Sequence, residues 1–219
     1  MSGQTLKPER GVGKEQMLYL LTGDIQTGKT RWLSALIDEL ALNGIRSYGV
    51  LTPGLWKSNQ TESGETAFEK LGIDAILLPQ KERFSFAQRR DLAERVDPKS
   101  QSTQAMLHWE IDDRAIQQVN QHFDRLSSGE DSASTIPGSR KGLLVVDELG
   151  PLEILYGQGY TSAVTLLEAG PSDLYDDALV VVRNPLCEKA EERFAHHWPA
   201  TIRLLPDKDS RKRILEAFD

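Results

Sequence analysis

Cysteine is almost missing: Cys187 is the only one in 219 residues. An internal disulfide is excluded, and a reducing cytoplasm is the expected setting. Aromatic residues make up only 7% of the chain, and no apolar run approaches the roughly 20 residues that a membrane helix needs. A membrane is therefore not expected among its partners. Basic residues are short as well, 26 Lys and Arg against 33 Asp and Glu, for a net charge of -7. That balance argues against a general attraction to the nucleic-acid backbone, so no nucleic-acid partner is expected and any phosphate must be held locally. No internal repeat is found, and no pattern indicates a protein partner.

What the chain does have is the composition of a globular protein, 39% hydrophobic and 27% charged. Residues 1–15 are polar, lack the apolar core of a secretory leader and read as a disordered N-terminal tail. Residues 16–219 suit one α/β domain. "QMLYLLT" from Gln16 is a short apolar run ending at Gly23, which predicts a buried strand. Trp32, Leu33, Leu36, Ile37 and Leu40 then recur at three and four, predicting an amphipathic helix that stops near Asn43 and Gly44. "SYGVLT" from Ser47 is a second buried strand, so the order is that of a βαβ unit with parallel strands.

Residues 53–108 read as an irregular, partly antiparallel insertion, in which "SFAQRRDLAERV" looks helical. From Glu110, Ile111, Ala115, Val119, Phe123 and Leu126 share one helical face, with Asp112 as its cap. Residues 127–142, "SSGEDSASTIPGSRKG", are too small and polar to supply a core and are expected to form a flexible loop. Beyond them the chain alternates: strand "LLVVDELG", helix "TSAVTLLEA", strand "DALVVVR", helix "CEKAEERFAHH", strand "ATIRLLP" and helix "SRKRILEAF".

Gly23, Gly28, Lys29 and Thr30 satisfy G-x-x-x-x-G-K-[ST], and they fall between the first strand and the first helix. Glycines permit a tight turn there, successive N–H groups can point inward, and the helix N-terminus adds its positive dipole end. Lys29 would reach the terminal phosphates of a nucleotide and Thr30 would ligate magnesium. The bland alternative is a glycine-rich turn with an exposed lysine. A similar run, "GVGK" at Gly11, has Pro8 in place of the first glycine and no strand before it, so it is rejected.

Asp147 and Glu148 end the apolar run "LLVV", which is expected to lie beside the first strand in the sheet. In a parallel sheet such strand ends border the ligand crevice. Asp147 would hold magnesium with Thr30, and Glu148, directed differently by strand alternation, would polarise an attacking water. Glu153 is read chiefly as a helix cap, with orientation of water as the alternative.

With the phosphate-loop pattern at one end and "VVDELGPLEI" at the other, the chain resembles the small nucleoside-triphosphatase family known as thermophile-type or cancer-related nucleoside triphosphatases. That family carries D-E-[IL]-G-x-[ML]-E after a buried strand and an earlier strand ending in Thr-Pro; the matching stretches here are Asp147 to Glu153 and "GVLTPGL" at Gly49. The resemblance implies an α/β, three-layer P-loop fold of the RecA-like kind and Mg2+-dependent hydrolysis of nucleoside triphosphates, ATP or GTP with broad base tolerance, to diphosphate and phosphate. By position it assigns the nucleotide to the loop Gly23, Asp24, Ile25, Gln26, Thr27, Gly28, Lys29, Thr30 and Arg31, the metal to Thr30 and Asp147, and water activation to Glu148. Two loop positions depart from the family: Gln26 replaces a glycine and Arg31 a threonine.

A further cation is expected at the transition state. Arg183 is the first candidate because it ends "ALVVV" at the same sheet edge; Arg83, Arg89, Arg90 and Arg193 are others. Trp56 and Trp109 are core or rim residues first and base-stacking candidates second. His196 and His197 are adjacent, which does not place two ligands on one helical face. Two other functions stay open on these residues: a nucleotide or small-molecule kinase, and a nucleotide-dependent switch or assembly factor with slow hydrolysis.

Overall fold

The computed structural model describes residues 15–24, 27–60, 66–94, 96–130 and 141–218. Ile25, Gln26, most of the expected N-terminal tail and residues 131–140 of the expected flexible loop lie outside them.

Strands and helices follow the apolar spacing. In β1 (Met17–Leu21) Leu18 and Leu20 enter one core cluster while Tyr19 and Leu21 enter another on the opposite face. That two-sided burial requires cover on both faces. α1 (Lys29–Leu42) puts Leu33, Leu36, Ile37 and Leu40 onto the second cluster, together with α7 (Lys208–Ala217) through Ile214. α3 (Asp113–Ser128), α5 (Thr161–Ala169) and α6 (Asn184–Phe194) supply the first cluster on the other face. Asp112 caps α3 by accepting from the Arg114 N–H, as the spacing predicts.

The described strands form one mixed sheet in the order β6-β5-β4-β2-β7-β8-β1-β9. β2 (Ser47–Leu51), β7 (Gly142–Leu149), β8 (Tyr175–Val182), β1 and β9 (Ala200–Leu204) are parallel to one another. The chain is thus α/β with helices on both faces, an arrangement compatible with three layers. One expectation is corrected here: β7 does not lie beside β1, because β8 separates them. β8 fits because its residues are buried on both faces, with Ala178, Val180 and Val182 in one cluster and Leu179 and Val181 in the other.

The insertion is also more regular than its sequence suggests. β3 (Gly54–Gln60), β4 (Thr66–Leu78), β5 (Glu82–Arg89) and β6 (Trp109–Ile111) are antiparallel strands that extend the sheet beyond β2. β4 pairs with β3 through its first half and with β2 through its last three residues, so the bend at Thr52 and Pro53 is spanned by a single 13-residue strand. The stretch expected to be helical is the end of β5 followed by one 3-10 turn at Arg90–Leu92. Phe84 and Phe86 of β5 both reach the first core cluster, a period of two that outweighs the helix-like spacing downstream. Between it and α3 lies the short helix α2 (Gln101–Gln104).

Candidate functional site

The loop after β1 meets α1 at Gly28, whose φ of 84° is a left-handed conformation that favours glycine. No side chain caps α1, so the first N–H groups of its opening turn receive no help from a capping oxygen. Lys29 is buried, and its Nζ donates to the main-chain oxygens of Gly23 at 2.9 Å and Asp24 at 2.7 Å. The lysine therefore arches back over the loop. Its ammonium is held by carbonyl dipoles and not by a carboxylate, which leaves its charge available to an anion. Thr27 Oγ1 donates to the Asp24 oxygen, tightening the turn, and Arg31 is exposed.

The loop is anchored by a residue the sequence reading did not single out. Asn184 donates from Nδ2 to Asp24 Oδ1 at 3.1 Å and accepts from Thr22 Oγ1 at 2.7 Å. Asn184 opens α6 directly after β8, so β1 and β8, neighbours in the sheet, send their helices to opposite faces at this point. Such a divergence opens a crevice at the carboxyl ends of the strands.

Asp147 reaches this crevice although β8 intervenes. Thr30 Oγ1 donates to Asp147 Oδ1 at 3.3 Å, and the Thr52 N–H donates to Oδ2 at 3.0 Å. The Asp147 side chain is fully buried, and burial pushes its carboxyl up to about 6; the Thr52 N–H opposes that rise and the neighbouring Glu148 charge adds to it. Thr52 was foreseen only as part of "GVLTPGL"; the structure makes it a partner of the acid.

Glu148 sits at a bulge. Asp147 pairs with Val181 and Leu149 with Val182, so Glu148 is the extra residue. Leu149 thereby joins Leu144 and Val146 in the first core cluster, which strict alternation from Asp147 would not allow. The Glu148 carboxylate is left partly exposed and ion-paired with Arg183 Nε. Arg183 does emerge beside the acid pair, as its position after β8 predicts. The other candidate cations are engaged elsewhere: Arg83 with Asp74, Arg89 with Glu69 and Asp91, Arg90 with Glu110, and Arg193 with Glu168.

Glu153 is a cap. It is buried and accepts from the N–H groups of Gly150 at 2.8 Å and Tyr160 at 2.9 Å, so both oxygens are committed to backbone. Trp56 lies exposed on β3, while Trp109 packs against the first core cluster with Lys70 Nζ 5.0 Å from its ring centre. Lys70, on β4, escaped the sequence reading because nothing local marks it. Burial lowers its pKa, an effect opposed by the charges of Glu148 and Asp147.

The donor set suits magnesium: a hydroxyl and a carboxylate, both hard oxygen ligands, stand within 3.3 Å of each other. The buried Asp147 carboxylate also lacks a cationic partner among the described residues, which a divalent ion would supply. Among the described residues no helix is long and apolar enough to cross a membrane. Comparison of the chain with protein families, characterised proteins and solved structures gives no match.

Proposed function

We propose that the chain is a Mg2+-dependent nucleoside-triphosphate phosphohydrolase built on a P-loop fold, as its resemblance to the small nucleoside triphosphatases implies. The observation that carries this reading is the bridge from Thr30 at the loop to Asp147 on β7, with Glu148 and Arg183 paired beside it. A loop that binds phosphate, a pair of oxygens for a divalent ion, a carboxylate and an arginine are the parts that phosphoryl transfer to water requires.

In this reading the uncapped N–H groups of α1 and the Lys29 ammonium receive the phosphates. Thr30 and Asp147 would hold a magnesium ion, which would screen the phosphate charge. Glu148 would accept a proton from the attacking water, and Arg183, its ion-pair partner, would turn to the developing negative charge. Broad base tolerance, with ATP or GTP accepted, is what the resemblance to that family implies.

Turnover of ATP, GTP, CTP and UTP with magnesium, on the wild type, Lys29→Ala and Glu148→Gln, tests the proposal. Lys29→Ala is expected to lose nucleotide binding. Glu148→Gln is expected to bind and to lose turnover by roughly 100-fold or more. Undiminished hydrolysis in Glu148→Gln removes the assigned base. A kinase on the same fold is the second reading, favoured by one observation: a cavity opens beside Glu148 with room for more than water.

A further inference from the structure

That cavity has a volume of about 240 Å3. Among the described loop residues only Thr30 lines it, so a nucleotide seated on the described part of the loop meets it at most through its terminal phosphate. Thr30, Glu148 and Arg183 mark a polar end, and Phe86, Leu107, Trp109 and Ile116 wall an apolar end beneath the antiparallel strands and α3. At about 30 Å3 per water the space equals roughly eight waters, the bulk of one ring with a short arm. Attack by a single water needs no such chamber.

One polar group on its lining is buried and unpartnered, and a charged donor stands beside the Trp109 wall. Tyr160 is 2% exposed, and its hydroxyl is buried without a hydrogen-bond partner. Lys70 is half-buried, its ammonium makes no side-chain hydrogen bond or ion pair with a described residue, and it stands over the Trp109 ring. The carboxylates that share the lining are already occupied: Glu148 by Arg183, and Glu153 by two backbone N–H groups. A buried hydroxyl without a partner costs about 1–3 kcal/mol, so an occupant whose acceptor reaches Tyr160 gains there, and negative charge on that acceptor also attracts the Lys70 ammonium.

We propose that this cavity binds a small carboxylic acid bearing one aromatic ring, its carboxylate accepting from Lys70 Nζ and the Tyr160 hydroxyl and its ring lying against Trp109 and Phe86. The apolar wall fixes the ring, and the two donors fix the acid, which is how small-molecule sites combine affinity with orientation. The site adjoins the phosphate loop at Thr30, and the proposal stands whether or not the chain hydrolyses nucleotides.

Calorimetric titration of the full chain with phenylacetate, in the absence of nucleotide and metal, tests the proposal. Phenylacetate is expected to bind at one site, and its neutral isostere phenylacetamide about 10-fold or more weakly. Lys70→Met should abolish the preference for acid over amide. Tyr160→Phe, which keeps the ring in place, should weaken phenylacetate by about 5-fold or more. Equal binding of acid and amide, no binding of either, or an unchanged preference in a folded Lys70→Met overturns the proposal. If Lys70→Met does not fold, the Tyr160→Phe titration decides. Because no nucleotide is present, failure of the hydrolase reading does not alter any of these outcomes.

Discussion

Thr52 and Asp147, 95 positions apart, are joined twice: the Thr52 N–H donates to Oδ2 at 3.0 Å, and Thr52 Oγ1 donates to the Asp147 main-chain oxygen at 2.6 Å. The pair locks the end of β2 to the end of β7, so the acid is positioned from the backbone of a different strand. Thr52→Val keeps the shape and the N–H bond but loses the hydroxyl. It should lower unfolding free energy by about 1–2 kcal/mol in urea titration, while Thr52→Ser, which keeps the hydroxyl, should avoid most of that loss.

Asp147 predicts a specific pH dependence. Its carboxyl binds a proton more tightly in the folded protein, at about 6 against 3.8, than in the unfolded chain. The group therefore favours folding most below the unfolded value, and that contribution is lost as pH rises through about 6. In metal-free protein Asp147→Asn should match the wild type near the lower value and exceed it above pH 7 by at most about 3 kcal/mol. Melting temperatures across that range check the sign. Added magnesium should raise the wild-type melting temperature only where Asp147 is ionised, and should leave Asp147→Asn unmoved.

Glu153 separates a structural acid from a chemical one. Removing its carboxylate orphans the N–H groups of Gly150 and Tyr160. Glu153→Ala should cost about 2–4 kcal/mol in stability, and Glu153→Gln less because one acceptor survives. Folded Glu153→Gln should keep its turnover within a few-fold of wild type, in contrast to Glu148→Gln. A loss as deep as that of Glu148→Gln would assign Glu153 a role in orienting water.

Arg183 tests the transition-state cation. Arg183→Ala leaves Glu148 without its ion-pair partner while sparing the loop, Thr30 and Asp147. Turnover should fall by roughly 100-fold, with nucleotide affinity changed little. A large loss of affinity with preserved turnover would place Arg183 in binding alone.

Much of the fold could be read locally. The cap at Asp112, the glycine that opens α1 and the paired oxygens expected of Thr30 and Asp147 follow from short patterns, because capping, left-handed turns and buried-strand ends depend on adjacent residues. The antiparallel strands were obscured because charged residues in "SFAQRRDLAERV" mimic a helical face, while Phe84 and Phe86 are recognisable as one strand face only when α3 packs against β5. Lys70, Tyr160 and Asn184 carry no local signal, since each matters through a partner or a space far along the chain.

By itself the sequence determined the chemistry available at the crevice: glycines and Lys29 in one turn, two acids after a buried run, and an arginine at another strand end. Only the tertiary structure decided how they meet. β8 intervenes between β1 and β7, so Thr30 reaches past it to Asp147 while Thr52 holds that acid from the end of the neighbouring β2, and the bulge at Glu148 turns its carboxylate toward Arg183 while Leu149 returns to the core. Strand order and bulges arise from burying two faces of one sheet at once, a constraint on the whole chain that no short stretch of it contains.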